Sequence, residues 1–391
     1  MLPETTHRYK VGVRLPDWLS GYAYRLFEGL VDFQRTGVTI ELHFDQPSGG
    51  DLPHDPIDKS WKGDGLLVYR YTKEEARAWR KAGIKVINLS TEYPGAAPEI
   101  PRVIVDNQAV GRAGFDHLQS LGLRDFAYVH ESNRQYSKER MEAFEEQVVS
   151  NGMNFYRIDV PASSFPIKTR PKQVMKCLQA LKDLPTPCGL LSKDDIAGVS
   201  AIRVMKSLGI KCPEQMAIIG VSNDVVFCHT TYPPLTSIPY PGRKIGYAAA
   251  ELLYKLMEGE EVSGDYTLKV APGTVVARES TRYVILPDPV VTAALEYIRT
   301  SPLQTNITVE ELCRKAGVSR EGLRQKFQAT LGRSPKQELE RVRCYQIVEI
   351  LRNSTETLSE LSEICGFSGP DHLCRFVKRL TGKTPGEIRR G

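Results

Sequence analysis

Short runs of apolar, often β-branched residues alternate along most of this chain with stretches in which apolar residues recur at helical spacing. The alternation extends from residue 9 to about residue 276 and predicts parallel strands joined by helices. The predicted strands are residues 9–15, 38–44, 65–69, 85–89, 103–105, 126–130, 155–160, 189–192 and 216–220. The predicted helices are residues 22–33, 73–82, 110–121, 137–150, 173–184 and 196–208. Because helices cover both faces of such a sheet, the pattern indicates an α/β fold.

The α/β part is expected to form two lobes, because the alternation restarts after residue 101. We predict one parallel sheet within residues 9–101 and a second within 102–238, with the chain crossing back near the end. Open parallel sheets bind ligands beyond the carboxyl ends of their strands. A cleft between the two lobes is therefore the expected place for a small ligand.

A change of pattern near residue 286 divides the chain. Leu286-Pro287-Asp288-Pro289 places two prolines around an acid, which disfavours regular structure, and every later segment has a helical pattern. We therefore expect a ligand-binding α/β domain over residues 9–281, a linker over 282–288 and an all-helical domain over 289–391.

The helical part contains an internal repeat. Val309, Leu312, Ala316, Gly317, Val318 and Ser319 recur 49 residues later as Leu358, Leu361, Cys365, Gly366, Phe367 and Ser368. Leu323, Phe327, Gly332, Ser334 and Pro335 recur 50 residues later as Leu373, Val377, Gly382, Thr384 and Pro385, so one residue is inserted in the second copy. Each copy predicts a helix, a Gly-apolar-Ser turn and a second helix. The glycine suits a left-handed helix end and the serine can cap the next helix. This arrangement is a helix-turn-helix.

The outward side chains of the second helix in each copy are candidates for contacting DNA. They are Arg320, Glu321, Arg324 and Gln325 in the first copy, and Asp371, His372, Arg375 and Lys378 in the second. Residues 286–391 carry 17 Lys and Arg against 13 Asp and Glu, whereas residues 1–285 are nearly balanced at 35 against 34. The excess of positive charge indicates a polyanionic partner. A helical bundle whose repeat only packs is the alternative, which the second copy and the charge excess disfavour.

Residues 289–390 resemble the DNA-binding domain of the AraC/XylS regulators. The resemblance is carried by Gly366-Phe367-Ser368, by Phe376-Val377-Lys378-Arg379 and by the segment from Thr381 to Arg389. Pro370 departs from the family pattern, which often has a polar residue at the start of this helix, and Phe376-Val377 reverses the usual apolar-then-Phe order. The resemblance implies binding of double-stranded operator DNA as a homodimer, with RNA polymerase as a further candidate partner.

Residues 9–281 resemble the effector domains of lactose-repressor-type regulators, which are similar to periplasmic sugar-binding proteins. The matching segments include Val103-Ile104-Val105-Asp106-Asn107, Arg140 with Ala143-Phe144, Lys193-Asp194, Ile219 to Asp224, Leu235 to Ile238 and Arg278 to Thr281. Only about eight residues precede the first predicted strand, which leaves no room for the DNA-binding helices that these regulators usually carry there. We therefore expect the sensor first and the DNA-binding helices last.

The resemblance also implies which residues hold a sugar, a pentose such as xylose or a related saccharide. The candidates are Asp17, Trp18, Arg140, Asp194, Ser222 and Asn223. Ser222 stands where the family usually has an aspartate, and it is followed by Asn223 and Asp224. Trp18 offers a ring that could stack on a sugar or could only pack on its own loop. Asp224 could likewise only cap a helix.

Other classes of function find less support in the sequence. An α/β enzyme with a helical accessory domain is the alternative, but there is no glycine-rich nucleotide loop and no G-x-S-x-G. A transport binding protein would need an export signal, and the polar first ten residues do not resemble one. The eight cysteines and seven histidines lack metal-ligand spacing, so we expect free thiols, no metal and no cofactor. A cytoplasmic protein without membrane contact is predicted. The choice of sugar, the operator and the direction of regulation stay open.

Overall fold

A computed structural model describes residues 8–15, 21–45, 56–92, 100–162, 169–282, 286, 288–301, 303, 307–353 and 356–390. The strands are β1 (Tyr9–Arg14), β2 (Ile40–Phe44), β3 (Gly65–Val68), β4 (Lys85–Asn88), β5 (Arg102–Val105), β6 (Asp125–Glu131), β7 (Asn154–Val160), β8 (Cys188–Ser192), β9 (Met216–Ser222), β10 (Thr236–Pro239) and β11 (Thr267–Val270). The helices of the α/β part are α1 (Gly21–Gln34), α2 (Lys73–Lys81), α3 (Asn107–Gln119), α4 (Gln135–Ser150), α5 (Arg170–Cys177), α6 (Asp195–Leu208), α7 (Val225–His229) and α8 (Gly242–Met257). Those of the C-terminal part are α9 (Pro289–Thr300), α10 (Val309–Ala316), α11 (Arg320–Leu331), α12 (Pro335–Asn353), α13 (Leu358–Ile364), α14 (Pro370–Thr381) and α15 (Pro385–Arg390). The predicted elements are confirmed within a few residues, except that the helix expected over 173–184 is α5 followed by a 3-10 helix, Leu178–Asp183.

The strands form two parallel sheets, one in each lobe. The first has the order β11-β5-β4-β3-β1-β2 and the second has the order β10-β9-β8-β6-β7. The expectation that Arg102–Val105 begins the second sheet is wrong, because β5 pairs with β4 and β11 in the first sheet. The chain changes lobe after β5 rather than before it. The chain also returns to the first lobe near its end, as expected, because β11 pairs with β5 at the edge of the first sheet.

Two helices carry the chain from one lobe to the other. α3 follows β5 of the first sheet and packs against α4 of the second lobe, whereas α8 follows β10 of the second sheet and packs against α1 of the first. The amino-terminal end of α3 therefore lies at the junction of the lobes. Its carboxyl end lies at the far side of the second lobe, about 20 Å away for its 13 residues.

The two repeat units of the helical part differ in how they are attached. Side chains of the first unit, including Leu312, Leu323 and Phe327, belong to the same continuous apolar core as the α/β part. The second unit has a separate core, which includes Leu361 and Leu373. The long helix α12 contributes side chains to both cores. The first unit thus shares the core of the α/β part, whereas the second unit has a core of its own, and α12 links the two.

The turns of the two repeat units are similar but not identical. Gly317 and Gly366 both take the left-handed conformation, with φ of 66° in each case. Ser319 caps α11 by accepting a hydrogen bond from the Gly322 amide at 3.1 Å. The expectation that Ser368 caps α14 is wrong. The inserted residue, Gly369, occupies the cap position and displaces the serine from the start of the helix.

Candidate functional site

A cleft of about 280 Å³ opens between the two lobes, at the carboxyl ends of strands from both sheets. Tyr22, Tyr69 and Glu92 line it from the first lobe, and Arg140 and Asp194 line it from the second. Its volume is near the lower end of the roughly 300–1,000 Å³ that is typical of ligand pockets. The cleft therefore suits a small ligand.

Arg140, on α4, is fixed in the wall of the cleft. Its Nε donates to Asn107 Oδ1 at 2.9 Å, and its Nη1 donates to the Lys193 carbonyl oxygen at 2.6 Å. The guanidinium lies 4.9 Å from the centre of the Tyr136 ring, and Arg140 is only 6% exposed. These contacts hold the planar group in one orientation, so a ligand meets a preorganised donor.

Asp194 both caps helix α6 and lines the cleft. Its Oδ1 accepts a hydrogen bond from the Ala197 amide at 2.8 Å and so caps α6. Its Oδ2 accepts one from Lys193 Nζ. Burial by itself would raise the pKa of this carboxyl, but the Lys193 ammonium and the cap amide hold the pKa below its ordinary value. Asp194 therefore stays ionised at neutral pH.

Glu131 is a further carboxylate of the cleft, and sequence reasoning missed it. Its side chain is 1% exposed and lies 2.7 Å from Lys193 Nζ, 3.1 Å from Arg170 Nη2 and 3.5 Å from Arg134 Nε. Burial opposes ionisation, but Lys193 and Arg170 lower the pKa of Glu131 overall. Lys193 is shared between Glu131 and Asp194. The available signal was the position of Glu131 directly after the predicted strand 126–130, at a carboxyl end where ligands bind.

Three tyrosines form the aromatic wall of the cleft. The ring centres of Tyr22 and Tyr69 are 5.3 Å apart, and those of Tyr22 and Tyr240 are 4.4 Å apart. The Tyr240 hydroxyl donates to the Tyr22 oxygen at 3.2 Å, and burial raises the pKa of both phenols. These neutral rings offer a surface on which a sugar could stack. Asp17 and Trp18, which were expected here, lie outside the described residues.

The two candidate sugar-binding residues after β9, Ser222 and Asn223, have their side chains in different places. Ser222 lines the cleft, whereas the Asn223 side chain accepts a hydrogen bond from Arg278 Nη2 at 2.8 Å and does not line it. Both residues have positive φ, 129° and 50°, a strained backbone that is often found at functional sites. Arg25 donates to both of their carbonyl oxygens and holds this backbone in place. Asp224 caps α7 by accepting from the Val226 amide at 3.0 Å.

The eight candidate DNA-contacting side chains are all exposed on α11 and α14. On α11, Glu321 accepts hydrogen bonds from Arg324 at 2.8 and 2.6 Å and from Gln325 at 3.1 Å, so one carboxylate orients both side chains. On α14, the His372 ring packs on Phe367 with ring centres 5.1 Å apart, and its Nδ1 lies 3.2 Å from Ser368 Oγ. Helix α11 thus presents Arg324 and Gln325 in a preorganised arrangement.

A buried ion cluster joins the two domains at the carboxyl end of α3. Glu338 of α12 is fully buried and accepts hydrogen bonds from Arg333 at 2.6 Å and from Arg341 at 2.8 and 2.9 Å. Arg333 also donates to the Ser120 carbonyl oxygen, and Arg341 donates to Ser120 Oγ at 3.2 Å. Cations are favoured at this end of a helix, where carbonyl groups lack partners.

Close packing completes this junction. Gly122 has a φ of 86°, and a methyl group placed on it would lie 2.6 Å from Leu331 Cδ2. Lys326 of α11 pairs with Asp288 at 2.6 Å, and Asp288 in turn caps α9. The first helix-turn-helix unit is therefore held against the second lobe by both apolar and charged contacts.

Within the described ranges, no three His, Cys, Asp or Glu side chains lie together in a way that could hold a metal ion. All eight cysteines are described, and each is a free thiol. None of the helices in the described part of the chain is both long enough and apolar enough to cross a bilayer.

Comparison with known proteins agrees with both halves of this architecture. A periplasmic binding protein-like domain model matches residues 115–281, and a helix-turn-helix domain model matches residues 312–391. The xylose operon regulatory protein of Escherichia coli (strain K12) is 27% identical over 340 residues, which are 85% of each chain. The protein of the same name from Haemophilus influenzae is 28% identical over 298 residues, which are 75% of each chain. A solved structure of the xylose-binding transcription activator xylR has the same fold, with a TM-score of 0.61, 23% identity and 98% coverage of both chains.

The chain is therefore a transcription regulator that joins a periplasmic binding protein-like sensor domain to a C-terminal helix-turn-helix DNA-binding domain. The xylose operon regulatory proteins are the relatives that it resembles over most of its length, including the order of the two domains.

Proposed function

We propose that the cleft binds a monosaccharide of about pentose size, such as xylose or a related saccharide, and that this binding changes how the chain contacts operator DNA. The observation that carries the proposal is the pair Arg140 and Asp194, which is held rigidly beside an aromatic wall in a small cleft. Vicinal hydroxyl groups both donate and accept hydrogen bonds, and they pair well with such a set. The names of the relatives support a sugar as the effector.

The proposal assigns no catalytic role to the cleft. Asp194 and Glu131 both contact the Lys193 ammonium, and both have pKa values held below the ordinary range. Carboxylates in this state are poor general acids at neutral pH. The free thiols Cys188 and Cys228 are buried, and burial raises the pKa of each to about 12, which disfavours the reactive thiolate.

We further propose the sensor as residues 9–281, the linker as 282–288 and the DNA-binding domain as 289–391. The functional unit is a cytoplasmic homodimer, because symmetric partners suit paired half-sites on DNA. RNA polymerase is a further proposed partner.

Helix α3 is the proposed route between the two sites. Asn107, at its start, holds Arg140 in the cleft, and Ser120, at its end, accepts hydrogen bonds from Arg333 and Arg341. A ligand that moves Arg140 would act on one end of a rigid element whose other end carries the DNA-binding domain. Contiguous packed elements of this kind can transmit a change between distant sites.

Thermal unfolding with a panel of pentoses and hexoses tests the sensor, because a ligand that binds only the folded state raises the melting temperature. Retardation of operator and scrambled DNA at several salt concentrations tests the DNA-binding domain, since contacts to phosphate weaken steeply with salt. A panel without any stabilising saccharide, or DNA binding that is independent of salt, would contradict the proposal.

The two recognition helices are expected to contribute unequally. Arg324→Ala should lower operator affinity and remove about 1–3 kcal/mol of discrimination, because Glu321 holds this side chain ready for a base edge. Arg375→Ala should weaken binding with a smaller loss of discrimination, because Pro370 replaces a possible polar contact at the start of α14 and the Asp371 carboxylate repels phosphate.

Titration of both variants against operator and scrambled DNA at one salt concentration measures the difference. Arg157→Ala, which removes an exposed arginine of β7 far from α11 and α14, is the control for loss of charge. Greater loss of discrimination in Arg375→Ala than in Arg324→Ala would overturn the assignment.

A further inference from the structure

Among the described residues that line the cleft, positively charged side chains outnumber negatively charged ones. Among the described residues, the cations are Arg70, Arg134, Arg140, Arg170 and Lys193. The acids are Glu92, Glu131 and Asp194. The described wall therefore carries two more positive charges than negative ones, within a cleft that is small and partly closed to water.

The acids present are already shared among several cations. Glu131 forms ion pairs with Lys193, Arg170 and Arg134. Asp194 also pairs with Lys193. Arg140 makes its hydrogen bonds to neutral oxygens, those of Asn107 and of the Lys193 backbone. In the described part of the chain, its buried guanidinium has no carboxylate within ion-pair distance. Asp194 interacts with this cation only at longer range, so an anionic ligand would add a direct partner for it.

Two further features of the cleft favour an anionic ligand. The Nε of Arg170 is buried and has no hydrogen-bond partner among the described residues, so one charged donor is unused beside the cleft. Ser222 lines the cleft at the end of β9 with a hydroxyl group, at the position where an aspartate would add a balancing charge. Both details increase the attraction of the cleft for negative charge.

We propose that the effector is an anionic monosaccharide, whose acid group is bound by Arg140 together with Arg134 and Arg170. The inference rests on the proposed sugar-binding function and names the chemical class of the sugar. A carboxylate and a phosphate share the required chemistry, because each accepts several hydrogen bonds from guanidinium groups.

Direct titration of the full chain by calorimetry compares matched pairs of ligands. The probes are D-xylose against D-glucuronate, which carries a carboxylate on the same pyranose ring, D-glucose against D-glucuronate, and D-glucose against glucose 6-phosphate. We expect at least one acid to bind about tenfold more tightly than its neutral partner, because charge-assisted hydrogen bonds are roughly twice as strong as neutral ones. Its affinity should also fall with added salt, whereas that of the neutral sugar should not. Comparing the affinities of glucuronate and glucose 6-phosphate shows whether the cleft prefers a carboxylate or a phosphate group.

Two variants test the residues. Arg170→Gln should reduce the preference for the acid, and Ser222→Asp should reduce it further by adding a negative charge. Arg157→Gln, which removes an exposed arginine of the same lobe that pairs with Asp159, should leave the preference unchanged.

The outcomes separate the inference from the proposed function. Tighter binding of a neutral sugar than of its acid would overturn the inference and leave a sugar sensor. An acid preference that survives in both Arg170→Gln and Ser222→Asp would overturn the assignment of these residues. Failure of every sugar and every acid to bind would overturn the proposed function itself.

Discussion

Replacing Asp194 with alanine is expected to weaken binding of the effector by roughly 5- to 150-fold or more. The substitution removes the carboxylate that lies between the ligand cleft and Lys193, and it leaves sugar hydroxyl donors without an acceptor. An unsatisfied buried polar group costs about 1–3 kcal/mol, and the loss of a charged partner costs more. The measurement is the ligand-induced rise in melting temperature, followed by calorimetric titration.

Asp194 also caps α6, so the alanine variant loses stability as well as binding. Losing the cap costs about 0.5–2 kcal/mol. Asp194→Asn separates the two effects, because asparagine keeps a side-chain oxygen for the Ala197 amide but removes the negative charge. We expect this variant to recover most of the stability and little of the binding. Wild-type affinity in either variant would show that the cleft has been wrongly assigned.

Replacing Glu338 with alanine is expected to give the largest loss of stability among single changes at the junction of the domains. Glu338 is fully buried and pairs with both Arg333 and Arg341, which in turn contact Ser120 at the end of α3. Removing one partner of a buried ion pair typically costs about 3–5 kcal/mol, because the remaining charge stays buried without compensation. Thermal and denaturant unfolding of the purified chain measure this loss.

Glu340→Ala is the matched control, since Glu340 is on the same helix but pairs with the exposed Arg379. An exposed pair contributes roughly 0–1 kcal/mol, so this variant should unfold close to the wild type. The same two variants test the route through α3. The effect of the sugar on operator affinity should be reduced in Glu338→Ala and retained in Glu340→Ala. Equal stability of the two variants would contradict the role of the buried cluster.

The cleft shows which parts of a site are readable from a sequence. Arg140 and Asp194 were predicted from the resemblance to sugar-binding sensor domains, and Asp194 also follows the end of a predicted strand, where an α/β chain is expected to bind its ligand. Glu131 also lies at the end of a predicted strand but was not selected, and Tyr136 gave no comparable signal. The pairing of β6 with β8 places Glu131 beside Lys193, whereas the packing of α4 brings Tyr136 to Lys193. Asn223 was named for its position in the chain, but Arg278 holds its side chain elsewhere.

By itself the amino-acid sequence determined the local elements, the division near residue 286 and the duplicated helix-turn-helix, because periodicity and turn residues are properties of neighbours along the chain. Only the tertiary structure decided that β5 lies in the first sheet, that the first helix-turn-helix unit shares the core of the second lobe, and that Glu338 joins Arg333 to the end of α3. These features depend on contacts between residues far apart in sequence. Local periodicity indicates that a strand or a buried face exists, whereas the partner it finds is set by how the whole chain packs.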